Sequence, residues 1–266
     1  MLTPGQIERF KTDGVLILRE FFDHEEILRG REEVRAYFGH PDSGDDWQLA
    51  LGRYSSSQFH LQVPLSPGVH PRLTALYRSL HGSLEWHGED DLMIRPGERS
   101  PCGLGMPAHL DFPVASPLRT LANNVIYYTD VHQGGGEFLY WPGSHRNAWD
   151  FFRRNPRDYM ARGERSQDQT FALLLQELPS EPTAFLGKAG DLLIWHSLLM
   201  HSGSVNSRPE TRIATVGRWG MPLDEAATYD FERDMWEHWQ FAPRPNAIAN
   251  TSRVVYGEMA GEDGPG

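Results

Sequence analysis

The sequence predicts a mainly β fold with flanking helices, a sandwich or barrel built as one domain. Three observations predict it. The chain has 266 residues, a length that single β-barrel domains often use. From Leu92 onward, short strand-like runs follow one another with Gly and Pro between them, where βαβ units would need helix-length connections. Apolar residues make up 39% and charged residues 23%, enough apolar material for a sizeable core and too little charge for wholesale disorder.

The chain opens as helix, strand, helix. Thr3 caps the first helix, Pro4 occupies its first position, and Gln6 completes a capping box. Ile7 and Phe10 give it an apolar face and Gly14 stops it. Val15, Leu16, Ile17 and Leu18 form a short buried strand. Asp23 caps a second helix with Glu26 three residues on, and Ile27, Val34, Tyr37 and Phe38 line one side. Residues 40–71, rich in Ser, Gly, Pro and Asp, read as a loop-rich insertion, either a solvated connector or a lid over substrate. Leu73, Leu76, Tyr77 and Leu80 stand at helical spacing. The acidic run Glu89-Asp90-Asp91 reads as a solvated turn. Strands follow at 92–94, 107–112, 123–129, 136–141, 183–186, 192–195 and 212–218. A helix over 149–160 interrupts them, with a polar, mobile segment at 162–169 behind it and a frayed tail at 257–266.

The formal charge of −11 repels a phosphate backbone and an anionic membrane surface, and no Lys/Arg run overrides it locally. Neither nucleic acid nor membrane is therefore an expected partner. A small anion remains possible, because one or two buried arginines can hold it against the global sign. Cys102 is the only cysteine, so no intrachain disulfide forms, which suits a reducing cytoplasm. The start has no basic segment followed by an apolar run, and the longest apolar candidate, 190–200, is broken by Asp191, His196 and Ser197.

The chemistry lies in three places. On a strand, residues two apart share a face, so His109 and Asp111 project together while Leu110 faces the other way. An imidazole beside a carboxylate supplies two of the three ligands of a two-His, one-carboxylate facial triad, though such a pair alone also suits a hydrogen-bonded structural role. The segment 190–203 contains His196 and His201, either of which offers a third ligand. Arg212, eleven residues after His201, starts the next strand, where a hairpin can return its guanidinium to the same cavity for a bidentate pair with a carboxylate.

A His-x-Asp pair, a distant histidine and an arginine eleven residues beyond it resemble the phytanoyl-CoA dioxygenase family of iron(II)- and 2-oxoglutarate-dependent oxygenases. The resemblance spans most of the chain. Leu2-Thr3-Pro4 through Asp13-Gly14-Val15-Leu16-Ile17-Leu18 is similar to the family's N-terminal helix and strand. Gly135-Gly136-Glu137-Phe138 with Trp141-Pro142-Gly143-Ser144-His145-Arg146 is similar to its mid-chain signature, and Gly190-Asp191-Leu192-Leu193 leading to His201-Ser202-Gly203 to its final strand pair. The resemblance implies a double-stranded β-helix, a cupin-like jelly-roll, with residues 1–91 as a helical and loop part packed on it, 92–220 as its core and 221–266 as a C-terminal extension. It implies iron(II) held by His109, Asp111 and His201, with Arg212 on the distal carboxylate of 2-oxoglutarate. The arginine spacing selects His201, because eleven beyond His196 stands Ser207. Many members carry Gly-Ser directly after the last histidine; here the order is Ser202-Gly203-Ser204, which leaves Ser204 or Ser202 for that work. Asn123, Tyr127 and Arg95 are further candidates for the cosubstrate.

The implied reaction consumes O2 and 2-oxoglutarate, releases succinate and CO2, and hydroxylates a small-molecule metabolite, with a setting in secondary metabolism. Asp111 matters here: related halogenases have Gly or Ala at that position, and with a carboxylate present no coordination site is left for halide. Desaturation, epoxidation or cyclisation would use the same residues. A cupin-like metalloenzyme needing no keto acid, and a binding protein with a vestigial site, are the other readings. Arg53, Arg95 and Arg119 are candidates to meet an acidic substrate, each equally readable as a surface residue.

Overall fold

The computed structural model describes residues 2–51, 58–60, 70–81, 84–97, 104–111, 120–159, 165–220, 230–237, 239 and 241. Its elements are α1 (Pro4–Asp13), β1 (Val15–Leu18), α2 (His24–Tyr37), α3 (Gly44–Leu51), β2 (Gln58–His60), α4 (Pro71–His81), β3 (Glu85–Arg95), β4 (Thr120–Tyr127), β5 (Phe138–Tyr140), α5 (Ser144–Arg154), α6 (Gln167–Gln176), β6 (Thr183–Phe185), β7 (Leu192–His196), β8 (His201–Gly203) and β9 (Arg212–Gly220).

Two antiparallel sheets form a jelly-roll. The larger runs β1-β7-β4-β9-β3-β2 and the smaller β6-β5-β8. Strand alternation divides the apolar side chains into two layers. Val125 and Tyr127 of β4 and Leu193 and Trp195 of β7 pack between the sheets with Phe138, Tyr140 and Phe185. Their neighbours Ile126, Leu192 and Ile194 face the other way, into a larger core with Phe10, Val34, Tyr77 and Phe152 from the helices. Strands buried on both faces explain why β7 reads as an unbroken apolar run, and all five of its residues are buried. Among the described residues no helix is long and apolar enough to cross a membrane.

The helix caps follow the sequence. Thr3 and Gln6 form the reciprocal cap of α1, which ends at Gly14 in a left-handed conformation, φ 76°. Asp23 and Glu26 do the same for α2.

Several elements differ from expectation. Residues 43–51 are no loop: the Ser43 hydroxyl accepts from the Asp46 N–H at 3.1 Å, and Asp46 accepts from the Ser43 N–H at 2.9 Å, a cap that opens α3. β2 then pairs with β3 inside the same stretch, while 52–57 and 61–69 lie outside the described residues. The helix expected at 149–160 begins five residues earlier, after Gly143 in the left-handed region, and stops at Arg154 because Asn155 precedes Pro156. That start places His145 on α5. In the segment read as mobile, Ser166 and Gln169 cap α6. β3 starts at Glu85, so Asp91 is a strand residue, 4% exposed, where the Arg218 guanidinium of β9 meets it at 2.6 Å. Residues 107–111 make no ladder; one antiparallel bridge, His109 to His201, joins them to β8. Phe112, Arg53, Arg119 and the tail 257–266 lie outside the described residues.

Candidate metal centre

The bridge between His109 and His201 is closed in both directions, the His109 N–H to the His201 carbonyl at 2.9 Å and the reverse at 3.0 Å. It sets the two imidazoles side by side, ring centroids 4.4 Å apart. Asp111, two residues on, turns to the same side, and one ligand atom from each of His109, Asp111 and His201 lies within 4.8 Å of the others. His196 takes no part: it stacks on Trp239 in the helical core, and burial pulls its pKa well below the ordinary imidazole value.

The donor set fits a ferrous ion. The Nδ1 atoms of His109 and His201 each lie 2.9 Å from the carbonyl oxygen two residues upstream, Pro107 and Leu199. A carbonyl only accepts, so each Nδ1 carries the proton and each Nε2 keeps a lone pair. Burial lowers the His201 pKa to about 4, so that ring is neutral at pH 7. Asp111 Oδ2 accepts from the Asn123 amide at 2.7 Å and from the Trp195 indole at 3.0 Å, and stands 3.4 Å from His201 Nε2. Burial alone would raise the Asp111 carboxyl; the neighbouring His201 ring, the Arg218 charge, the His109 ring and the Trp195 N–H together hold it below the ordinary carboxylate value. Two imidazole nitrogens and a carboxylate on one side, with the other side open to a cavity, suit non-haem iron(II).

That cavity has about 530 Å³ of space and is partly open. β3 and β9 floor it in register: Arg95 opposite Arg212, Met93 opposite Ala214, Asp91 opposite Val216. Arg212 is 4% exposed. Its Nη1 donates to the Gly136 carbonyl at 2.9 Å, while Nε and Nη2 are buried with no hydrogen-bond partner among the described residues. Burial first, then the like charge of Arg95, lowers its pKa to about 10, which leaves it cationic at pH 7. Gly136 has φ 78°, and a Cβ there would stand 3.3 Å from Arg95 Cδ and 3.6 Å from Arg212 Cδ, so glycine lets the loop close over both arginine stems.

The other cosubstrate candidates fall elsewhere. Ser204 donates to the buried Glu137 carboxylate at 2.7 Å. Tyr127 donates to the Phe185 carbonyl at 3.2 Å, accepts from the Phe138 N–H at 2.9 Å and stacks on Phe185, with burial pushing its pKa up to about 12. Neither lines the cavity; Ser202 does, its hydroxyl donating to the Met106 carbonyl at 2.7 Å. Asn123 holds the Asp111 carboxylate, 12 positions away in the chain, and Trp195 does so from 84 positions away, contacts that no local pattern signals.

The chain resembles known proteins over most of its length. The family model for phytanoyl-CoA dioxygenase matches residues 10–214. An ectoine dioxygenase of Nocardia farcinica is 26% identical over 226 residues, covering 78% of this chain and 74% of that protein. Among solved structures, the epimerase SnoN in complex with Fe3+, alpha ketoglutarate and nogalamycin RO shares 19% identity at a TM-score of 0.56, over 94% of this chain and 92% of SnoN. HygX from Streptomyces hygroscopicus, with nickel and 2-oxoglutarate bound, shares 19% identity at 0.53, over 84% and 88%. Together they identify an iron- and 2-oxoglutarate-dependent dioxygenase on a jelly-roll, and the chain belongs to the phytanoyl-CoA dioxygenase (PhyH) family.

Proposed function

We propose that the protein hydroxylates a small-molecule metabolite, with the metal held by His109, Asp111 and His201 and the distal carboxylate of 2-oxoglutarate held by Arg212. One observation carries this reading: a buried guanidinium, two of whose nitrogens have no hydrogen-bond partner among the described residues, shares its cavity with three converging metal donors. Leaving such donors dry costs about 1–3 kcal/mol each, and a carboxylate that accepts from both removes that cost.

Iron(II), if held by His109, Asp111 and His201, would supply the redox chemistry that couples oxidative decarboxylation of 2-oxoglutarate to substrate oxidation, one oxygen atom of O2 ending in succinate and the other in the product. The chain's own work is positioning. His109 and His201 present Nε2 lone pairs, Asn123 and Trp195 fix the Asp111 carboxylate, and Val125, Phe138 and Val216 keep the cavity wall apolar. Ser204 and Tyr127, their hydroxyls committed elsewhere, stay outside this assignment. A place in secondary metabolism draws support from SnoN, which is from nogalamycin biosynthesis, and the lone cysteine fits a cytoplasmic setting.

The test measures succinate and CO2 with and without 2-oxoglutarate and iron(II), using ectoine as the first substrate because it stands in the relatives' names. Product mass separates hydroxylation from desaturation, epoxidation or ring closure. Arg212→Ala is expected to weaken 2-oxoglutarate binding by about 2–5 kcal/mol, at least thirtyfold in Kd. Unchanged affinity would remove Arg212 from the role.

A further inference from the structure

The cavity carries a charged pair that the metal and cosubstrate assignment does not use. Arg212, Val216 and Arg218 all line the cavity from β9, even spacings on one face of the strand. Arg212 and Arg218 are six residues apart, so roughly 20 Å of strand separates the two guanidinium stems. The distal carboxylate gripped at one end therefore leaves the other end for a different molecule. There Asp91 of β3 pairs with Arg218 at 2.6 Å. The Asp91 side chain is 5% exposed and the Arg218 side chain 35%, so the pair buries its acid and presents its base. Arg218 lines the same cavity as His109, Asp111 and His201, which sets it at the cavity of the metal donors rather than on an outer surface.

A buried carboxylate opposite an arginine serves to fix the guanidinium, and a fixed planar fork selects a planar anion. An ion pair kept only to hold two strands together would gain nothing from facing the reaction cavity, and well-packed apolar residues do that work equally well. We infer that the substrate bears a carboxylate, and that Arg218, oriented by Asp91, grips it so that a carbon near that carboxylate lies over the metal. The inference rests on the metal and cosubstrate reading above and deepens it by naming the substrate class. Arg218 is a specificity-determining residue in this assignment and Asp91 a positioning residue. Between the two charged ends, Met93 and Val216 line the floor, so the part of the substrate beyond its carboxylate meets apolar wall.

The experiment uses the whole chain loaded anaerobically with iron(II) and 2-oxoglutarate. The metal-to-keto-acid absorption band is recorded as matched pairs of compounds are added: α-amino acids, cyclic imino acids and simple monocarboxylates, each against its carboxamide. Acids are expected to shift the band and their carboxamides to need at least tenfold higher concentration. Arg218→Gln should abolish the shift by the acids while leaving the band and the 2-oxoglutarate affinity in place, and Arg218→Lys should recover part of it. Because Arg218→Gln strands a buried carboxylate, the double variant Asp91→Asn/Arg218→Gln is measured alongside and should behave the same. If carboxamides shift the band as well as acids do, if no acid shifts it, or if both Arg218→Gln proteins keep the acid response, the inference is overturned. Failure of the band to form at all in the wild-type protein overturns instead the cosubstrate assignment on which it rests.

Discussion

Asp111, one of the three proposed metal donors, shows how much of a carboxylate's behaviour is decided by its hydrogen-bond donors. Its Oδ2 takes hydrogen bonds from an amide and an indole, neutral donors that stabilise the anion without competing for the ion. Asn123→Leu keeps the volume and removes the shorter of the two bonds. The expected result is a ferrous-ion affinity about 10–100-fold weaker, read by anaerobic metal titration, with an unchanged circular dichroism spectrum. An affinity equal to that of the parent protein would show Trp195 alone to be sufficient. The convergence of these three side chains was legible in the sequence because His109 and Asp111 are two apart and His201 precedes Arg212 by eleven. Their supporting residues were not, since Asn123 and Trp195 carry no local mark of a bond that forms only on folding. Asp91 is a sharper case: within its own acidic run it reads as solvated, and its neutralising partner stands on a strand 127 residues later.

At the scale of elements, caps were the most readable feature where an apolar periodic stretch followed them and the least where it did not. Thr3 and Asp23 precede clear apolar faces. Ser166 precedes Gln167, Asp168, Gln169 and Thr170, so the polar first turn of α6 masks the Phe171 and Leu174 contacts that bury it. Ser43 is followed by an eight-residue helix opening on Gly44, too short for periodicity to emerge. Ser166→Ala is expected to cost about 1 kcal/mol through the lost cap. In thermal unfolding that corresponds to a fall of about 2–4 °C in Tm, with iron and 2-oxoglutarate binding unchanged, since α6 contributes no residue to the cavity. A Tm equal to the parent's would mean the cap is replaced by water.

For the whole molecule, the strand-after-strand pattern beyond Leu92 was enough to predict a sandwich or barrel, and the two sheets form one. The pattern could not give strand order: β1, from the chain's first twenty residues, pairs with β7 more than 170 residues later, and β3 pairs with β9 across more than a hundred residues. Such pairings couple the cavity to global stability, because β3 and β9 both floor it and are both interior strands of the larger sheet. Ligands that bind only the folded chain should therefore raise Tm. At a hundred times its Kd a ligand adds about 2.7 kcal/mol, which for a chain of this size is a rise of about 5–10 °C. 2-Oxoglutarate is expected to give that rise only with a divalent metal present and only while Arg212 is intact. An equal rise in Arg212→Ala, followed by differential scanning fluorimetry, would place the keto acid elsewhere.

The hydrogen-bonded crossing of the segments bearing His109 and His201 has a bearing on how the enzyme survives between turnovers. The two rings are parked by main-chain bonds and by carbonyls of their own chain, none of which needs a cation to form. Loss of iron by oxidation or chelation then costs the catalyst its metal but not its shape. A chelated sample should recover full turnover within mixing time on fresh ferrous salt, with no refolding lag, like a socket that keeps its prongs aligned after the plug is pulled.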